Sequence, residues 1–338
     1  MIFPFTAIVG QEEMKTGLII NVIDPSIGGL LIMGEKGTAK STAVRALAEL
    51  LPETTAVKGC PFNCDPDGVL CTDCKETLKT EEHLHRAKKK MRMIELPLGI
   101  TEDRLVGTLD IEHALKKGEK RFEPGLLADA NRNFLYVDEV NLLEDHIVDL
   151  LLDSAAMGIN TVEREGVSFI HPAKFILVGT MNPEEGDLRP QLIDRFGLCV
   201  HVTSIADKTK RMEILRRKAA FDAQADDFVM VWVQEQKILA EKIIHAQATI
   251  NSISVPDTVL EKIVAVTAPL NLDGHRADIV IMKASRALAA LRGQASITVE
   301  NIREAARLTL PHRMKRLPFE AIDRENDILT SVLAGLAP

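Results

Sequence analysis

Aromatic side chains are scarce in this chain of 338 residues: they make up 4%, with a single tryptophan and a single tyrosine. Hydrophobic residues still reach 46%, so the cores it can bury are mainly aliphatic. Long apolar runs are missing too. None approaches the roughly 20 residues that a membrane span needs. The opening "MIFPFTAIVGQEEMK" lacks the basic flank and long apolar block of a signal peptide. Positive charge is outweighed, with a formal net charge of −8, which argues against nucleic acid as a partner. Cysteine is limited to five residues. The chain reads as cytoplasmic, without stable structural disulfides, and its length suits about two domains.

What is present begins at "GEKGTAKST", Gly34 to Thr42. It follows the phosphate-loop pattern G-x-x-x-x-G-K-[ST], except that Ala39 stands where the glycine before the lysine belongs. "GGLLIM" before it suits a buried parallel strand. "KSTAVRALAELL" after it carries Ala43, Leu47, Leu50 and Leu51 at helical spacing. Strand, glycine loop and helix together aim backbone N–H groups and a helix N-terminus at phosphate. Gly37 is able to take a positive φ. Ala39 is expected at the start of the helix with a right-handed backbone, where its methyl obstructs nothing.

"NFLYVDEVNLL" runs an apolar strand, Phe134 to Val137, straight into Asp138 and Glu139. Two carboxylates at the end of a buried strand are unfavourable without a partner. A nucleotide-bound magnesium supplies one. Asp138 then holds the ion, directly or through water, Ser41 adds a hydroxyl ligand, and Glu139 polarises the attacking water. A third strand, "AKFILVGTMNPEEG", ends at Asn182, whose amide can orient that water or touch the terminal phosphate. Just upstream, "INTVEREGVSFIHP" alternates as a β-hairpin turning around Glu165-Gly166. Arg189 and Arg195 lie in "LRPQLIDRFGLCVHV", each able to serve its own subunit, a neighbour or a surface carboxylate.

From Asp207 the pattern turns helical, with apolar stripes between charges in "DKTKRMEILRRKAAF" and across Asp226 to Ile250. Pro256 opens another helix. Val280, Ile281, Ala284, Leu288 and Leu291 then form one apolar face of a helix whose first turn holds Arg276. The helix dipole disfavours a cation there by roughly 0.3–1 kcal/mol. An anion is therefore expected beside it: Asp273, Asp278 or a phosphate. The basic segment "LPHRMKRLP" reads as a solvated face or a partner contact.

The segment 58–76 contains "CPFNCDPDGVLCTDC", which places Cys60, Cys64, Cys71 and Cys74 at the spacing C-x3-C-x6-C-x2-C. Pro61, Pro66 and Gly68 favour turns that fold the thiols inward. Four thiolates suit tetrahedral zinc or an iron–sulfur cluster, with free thiols or a redox-switchable disulfide as the alternatives. The basic stretch "HLHRAKKKMR" that follows reads as an exposed helix, and Cys199 as an ordinary buried thiol.

Four stretches, "AIVGQEEMK", "ELPLGITEDRLVGTLDIEHAL", "FEPGLLADANRNFLYVDEVNLL" and "GTMNPEEGDLRPQLIDRFGL", occur in order. With them the chain resembles the AAA+ ATPases and, among these, the ATPase I subunits of magnesium chelatase, over roughly residues 4 to 310. The same branch includes cobaltochelatase ATPase subunits and shades into MoxR-like ATPases. Loops of the form G-x-x-G-x-A-K-[ST] occur in it, so Ala39 fits the lineage. The resemblance implies the α/β class: a P-loop AAA+ core with a parallel sheet and β-hairpin insertions, residues 1–205, followed by an all-helical lid, residues 206–338.

The resemblance also implies site residues. ATP with Mg2+ is expected on Gly34, Glu35, Lys36, Gly37, Thr38, Ala39, Lys40, Ser41 and Thr42, with Lys40 on the β- and γ-phosphates. Val9 and Gly10, within Ile8 to Gln11, are expected against adenine. Asp138 and Glu139 match the Walker B pair, Asn182 sensor 1, Arg276 sensor 2, and Arg195 an arginine finger that reaches a neighbouring subunit. The hairpin at 159–171 and an insertion near 95–125 are expected to face a ring pore or a partner.

The implied function is a ring motor, a hexamer by family likeness. It drives an intermediate subunit with an integrin-I-type domain and a large porphyrin-binding subunit that inserts Mg2+ into protoporphyrin IX. Cobalt insertion, a chaperone-like role and a non-hydrolysing scaffold are the competing readings. Intact Lys40, Asp138, Glu139 and Asn182 weigh against the scaffold.

Overall fold

The computed structural model describes residues 1–109, 122–164, 167–186, 188–270, 272–314 and 322–336. Their contacts divide into two compact units, one of residues 3–43 with 181–338 and one of residues 44–180.

In the first unit the strands Leu30–Gly34 and Leu198–Val202 run parallel, Leu30 opposite Leu198 and Gly34 opposite Val202. Both are buried almost throughout, as continuous apolar strands covered on two faces must be. At the loop end of the first strand only glycine fits. Gly34 has φ 144°, and an added Cβ would stand 1.9 Å from the Val202 carbonyl oxygen.

Beyond these strands the unit becomes helical where the sequence changes character. Asp207 accepts the Lys210 amide at 2.7 Å and caps the helix Lys208–Ala223. Helices Ala225–Thr249, Asp257–Thr267, Arg276–Leu291, Val299–Thr309 and Ile322–Ala334 follow. Val280, Ile281, Ala284 and Leu288 form the buried face of Arg276–Leu291. That helix packs on Val299–Thr309, whose first turn is closed by a reciprocal Thr298–Asn301 capping box. No described helix is long and apolar enough to cross a membrane.

Among its described residues the second unit holds three parallel strands, Met93–Leu96, Phe134–Val137 and Ile176–Met181. Phe134 faces Met93 on one side and Ile176 on the other, so Phe134–Val137 is the central strand, and all four of its residues are buried. Among the described residues, three antiparallel ribbons decorate this unit: Thr54–Val57 with Arg86–Lys89, Gly107–Leu109 with Phe122–Pro124, and Ile159–Arg164 with Val167–Pro172. The last is the expected hairpin. Its turn at 165–166 lies outside the described residues, as do residues 110–121 of the insertion near 95–125.

One element differs from its expected form. The basic stretch after the cysteines is a strand, Arg86–Lys89, and not a helix. The preceding helix stops at Thr80, where Glu81 turns extended. The β-branched residues of Thr54–Val57 then offer a partner, and pairing leaves the basic side chains exposed along the edge.

Candidate nucleotide site

The first unit carries the phosphate loop. Lys40 begins the helix Lys40–Leu50 directly after it, so the loop ends at a helix N-terminus whose first amides have no partner within the helix. Gly37 takes φ 80°, and nothing lies within 4 Å of where its Cβ would be, which leaves open space over the loop. Lys40 folds back, and its Nζ donates to the Gly34 carbonyl at 2.7 Å. Thr38 Oγ1 donates to Glu35 O at 2.9 Å and tightens the tip. Lys36 pairs with Glu185 at 2.7 Å. Ser41 and Thr42 follow in the first helical turn, half-buried. Loop, lysine and hydroxyl make a donor set that fits a nucleotide phosphate with its magnesium.

Ala39 corrects the sequence expectation. Its backbone is left-handed, φ 63°, not right-handed. The chain has to reverse between the loop and the helix, and the Ala39 carbonyl already accepts the Ala43 amide at 2.9 Å. That geometry is the reason glycine is usual here. For an L-residue it costs about 1–2 kcal/mol.

Near the N-terminus Ile8 is buried, and Gly10 takes φ 69°. Gln11, also left-handed, donates from Nε2 to Thr203 O at 3.2 Å. Val9 and Gly10 thus sit in a short, sharply turned entry to the helix Glu12–Ile23.

The second unit carries the carboxylate pair. Asp138 leaves the central strand and is exposed, so burial alone does not demand a cation there. Hydrogen bonds organise it instead. Its Oδ1 accepts the Thr180 hydroxyl at 2.7 Å and the Tyr136 hydroxyl at 3.2 Å. Burial pushes the Tyr136 phenol well above its usual range, and the adjacent Asp138 charge adds to this, so the tyrosine stays a donor. Glu139 has a left-handed backbone, φ 55°, held by its amide donating to Thr180 Oγ1 at 3.0 Å. Strained backbone of this kind concentrates at functional sites. Thr180, which sequence reading passed over, therefore orients both carboxylate residues. Its place two residues before Asn182 on an apolar strand was the available signal.

Asn182 follows that strand, and its Oδ1 accepts the Glu184 amide at 3.3 Å. Arg195 is the last residue of the short helix Pro190–Arg195, and Arg189 precedes it. Arg276 does have a carboxylate neighbour, but it is Asp194, Nη1 to Oδ2 at 3.0 Å, and neither Asp273 nor Asp278. Asp278 instead accepts the Thr267 hydroxyl at 2.5 Å. Asp194 also receives Arg313, whose Nε lies 3.1 Å from Oδ1. Arg313 further donates to the carbonyls of Asp194, Phe196, Gly197 and Thr309.

Arg313 is 8% exposed, and neighbouring His312 donates from Nε2 to the Phe196 carbonyl at 3.1 Å. The start of the basic segment is thus interior, not a solvated face. Its burial is made tolerable by one carboxylate and a cluster of carbonyls. Residues 315–318 of that segment lie outside the described residues.

The family of AAA domains (dynein-related subfamily) matches residues 75–196, and the AAA lid domain family matches residues 260–332. A magnesium-chelatase subunit ChlI from Cyanophora paradoxa is 52% identical over 95% of this chain and 93% of its own length. The chain belongs to the ChlI family. Another ChlI-family relative, the ChlI homolog of Methanocaldococcus jannaschii, is 57% identical over 94% of this chain and 87% of its own length. A chain in a cryo-EM structure of the complex between subunits BchI and BchD of magnesium chelatase is also similar. It is 46% identical, with a TM-score of 0.55, and the match covers 96% of this chain and 99% of that one. The fold is accordingly an α/β P-loop core with a helical lid. As an AAA ATPase of the ChlI family, the chain is an ATP-hydrolysing subunit that binds ATP with Mg2+.

This ChlI-family chain has a second cluster outside the ATPase machinery. Cys60, Cys64, Cys71 and Cys74 are all buried, and their four sulfurs lie within 4.8 Å of one another. None is in a disulfide. Cys64 Sγ accepts the Cys71 amide at 3.2 Å, and Cys71 Sγ accepts the Cys74 amide at 3.5 Å while capping the helix Thr72–Thr80. Hydrogen bonds from its sulfur neighbours favour the Cys60 thiolate. The Cys64, Cys71 and Cys74 thiols are pushed upward, Cys74 chiefly by burial. Cys199 is buried in the strand Leu198–Val202, as expected.

Proposed function

We propose that this chain is the ATP-driven motor of a magnesium chelatase, a cytoplasmic ring that powers insertion of Mg2+ into protoporphyrin IX by partner subunits. The observation that carries the reading is the formed phosphate loop, with Lys40 bent onto the Gly34 carbonyl, in a chain of the ChlI family. Residues 1–205 act as the nucleotide-binding domain and residues 206–338 as its lid. Lys40 binds the β- and γ-phosphates, Ser41 and Asp138 hold the nucleotide's Mg2+, and Val9 and Gly10 line the adenine. Glu139, aimed by its left-handed backbone, takes a proton from the attacking water. Asn182 orients that water. Arg195 neutralises charge in the site of the next subunit, and Arg276 leaves Asp194 to meet phosphate.

The ring is a hexamer. Its direct partner is an intermediate subunit with an integrin-I-type domain, a reading supported by the similar chain in the BchI–BchD complex. The tetrapyrrole sits on a separate large subunit. Cys60, Cys64, Cys71 and Cys74 add a resident metal, zinc or iron–sulfur by the chemistry of four thiolates.

Reconstitution tests the motor reading. The chain, mixed with the two partner subunits, protoporphyrin IX, Mg2+ and ATP, should yield Mg-protoporphyrin by fluorescence, and Lys40→Ala should yield none. Product formed with Co2+ and not Mg2+ would reassign the metal. Equal product with Lys40→Ala would remove the motor role.

A further inference from the structure

The four-cysteine segment lies within one of the two units and joins elements that are far apart in sequence. Cys60 and Cys71 sulfurs are 3.9 Å apart, and no pair of the four exceeds 4.8 Å. A tetrahedral zinc with Zn–S bonds of about 2.3 Å sets sulfur–sulfur edges of about 3.8 Å. The sulfurs therefore already surround a volume of single-ion size. A cluster of several irons interposes its own metals and sulfides between the cysteines and holds them further apart. Disulfides require direct sulfur contact, at about 2 Å. The backbone is also preset for a closed site. Asn63 is left-handed at φ 49° and turns the chain tightly between the first two ligands, while Gly59, at φ 78°, turns it just before the first. Amide donors already point at Cys64 and Cys71 sulfurs, which is the outer-shell support that thiolate ligands need.

The surroundings show what such an ion would hold in place. Phe62, between two of the cysteines, lies 4.7 Å from the His171 ring and 5.6 Å from the Phe169 ring, centroid to centroid. Phe169 in turn stacks on Phe122 at 4.1 Å. Phe169 and His171 belong to the ribbon Ile159–Arg164 with Val167–Pro172, and Phe122 to the ribbon Gly107–Leu109 with Phe122–Pro124. Asn131 locks the knuckle from the other side, donating to Phe62 O at 2.7 Å and accepting the Lys174 amide at 2.9 Å. One small apolar cluster, with the cysteines at its centre, is thus the footing of two insertion ribbons.

We propose that Cys60, Cys64, Cys71 and Cys74 bind one zinc ion in a closed, structural site, and that this ion anchors the two insertion ribbons to the core of their unit. The proposal rests on the metal reading above and is independent of the motor reading. Four thiolate ligands leave no open position for water, so the ion does no chemistry. Its role is to tie Cys60 and Cys64, which flank Phe62, to Cys71 and Cys74, and so to fix Phe62 as the platform for Phe169 and Phe122.

The test uses the full chain purified anaerobically without added metal. Elemental analysis should find one zinc per chain and no iron. Cobalt(II) exchanged into the site should give the visible bands of tetrahedral tetrathiolate coordination. Cys64→Ser should lose the zinc. Stripping the wild-type protein with a chelator should speed amide exchange of Val162, Phe169 and His171 by about tenfold or more, while Leu30–Gly34 is unchanged. Absence of any metal would overturn the metal reading itself. Iron in place of zinc would leave a metal site and overturn the zinc assignment. Zinc that leaves without altering ribbon exchange would overturn the anchoring role. Should Cys64→Ser fail to fold, the stripped wild type and its cobalt spectrum still decide.

Discussion

The guanidinium of Arg313 lies on the carboxylate of Asp194, Nε to Oδ1 at 3.1 Å, although the two residues are 119 positions apart. Asp194 immediately precedes Arg195, so the helical lid holds the segment that carries the proposed finger. Arg313→Met should unfold at lower urea than wild type, by about 3 kcal/mol, because it removes the donor of four carbonyls and leaves Asp194 with Arg276 alone. Wild-type stability by chemical denaturation would show that the pair contributes nothing net.

Ala39→Gly is expected to tighten MgATP binding by roughly fivefold. The left-handed φ costs alanine about 1–2 kcal/mol, and glycine gives back only part of that through its greater freedom in the unbound loop. Titration calorimetry on both proteins measures the difference. Weaker binding in the variant would mean that the methyl makes a favourable contact.

Thr180→Val should leave ATP bound but slow turnover by about ten- to a hundredfold, since a lost hydroxyl leaves the Glu139 amide unpaired at about 1–3 kcal/mol. Glu139→Gln should also bind ATP, and hydrolyse almost none, because it changes charge with hardly any change of shape. Phosphate release and nucleotide binding, measured together, separate positioning from proton transfer. Wild-type turnover in Glu139→Gln would assign the base elsewhere.

Arg195→Ala should assemble and bind ATP yet lose turnover on the order of a thousandfold. Mixing it with Glu139→Gln should restore part of the activity, because about a quarter of the interfaces in a randomly mixed ring pair an intact site with an intact finger. Near-normal turnover by assembled Arg195→Ala would exclude the finger and leave Arg189 as the candidate.

His312 makes stability depend on pH. Burial, reinforced by the Arg313 charge, holds its pKa well below the ordinary value. Above about pH 6.5 the imidazole is neutral in both folded and unfolded chains, and the shift contributes nothing. Below that, only the unfolded chain takes up a proton, so stability falls as pH falls. Between pH 7.5 and 5.5 stability should fall, by at most about 1.4 kcal/mol from this residue. Urea midpoints for wild type and His312→Asn at the two pH values check it: the variant should lose less.

The strands and the polar residues at their ends were readable because they are local. An apolar run that stops at Asp138-Glu139, or at Asn182, announces itself within a few residues. The helical lid was readable by period, and the cysteine cluster by spacing. The unread parts are those fixed by contacts remote in the chain. Arg313 stands in a run of basic residues that looks solvated in one dimension, and only folding brings Asp194 and the Phe196 carbonyl to it. Arg276 has nearer carboxylates in sequence than the one it uses. Torsion was the other hidden quantity: nothing in the letters around Ala39 states that its φ is positive.

That torsion also has a kinetic reading. A loop whose last residue resists its own conformation is formed in fewer of the empty molecules, and apparent affinity falls by that fraction. The same resistance acts when product is held. Once the terminal phosphate has gone, fewer contacts would oppose the return of Ala39 to an easier backbone, and ADP should be released sooner than from Ala39→Gly. In the motor proposed above, an alanine at this place should shorten the dwell after each stroke at the expense of grip before it.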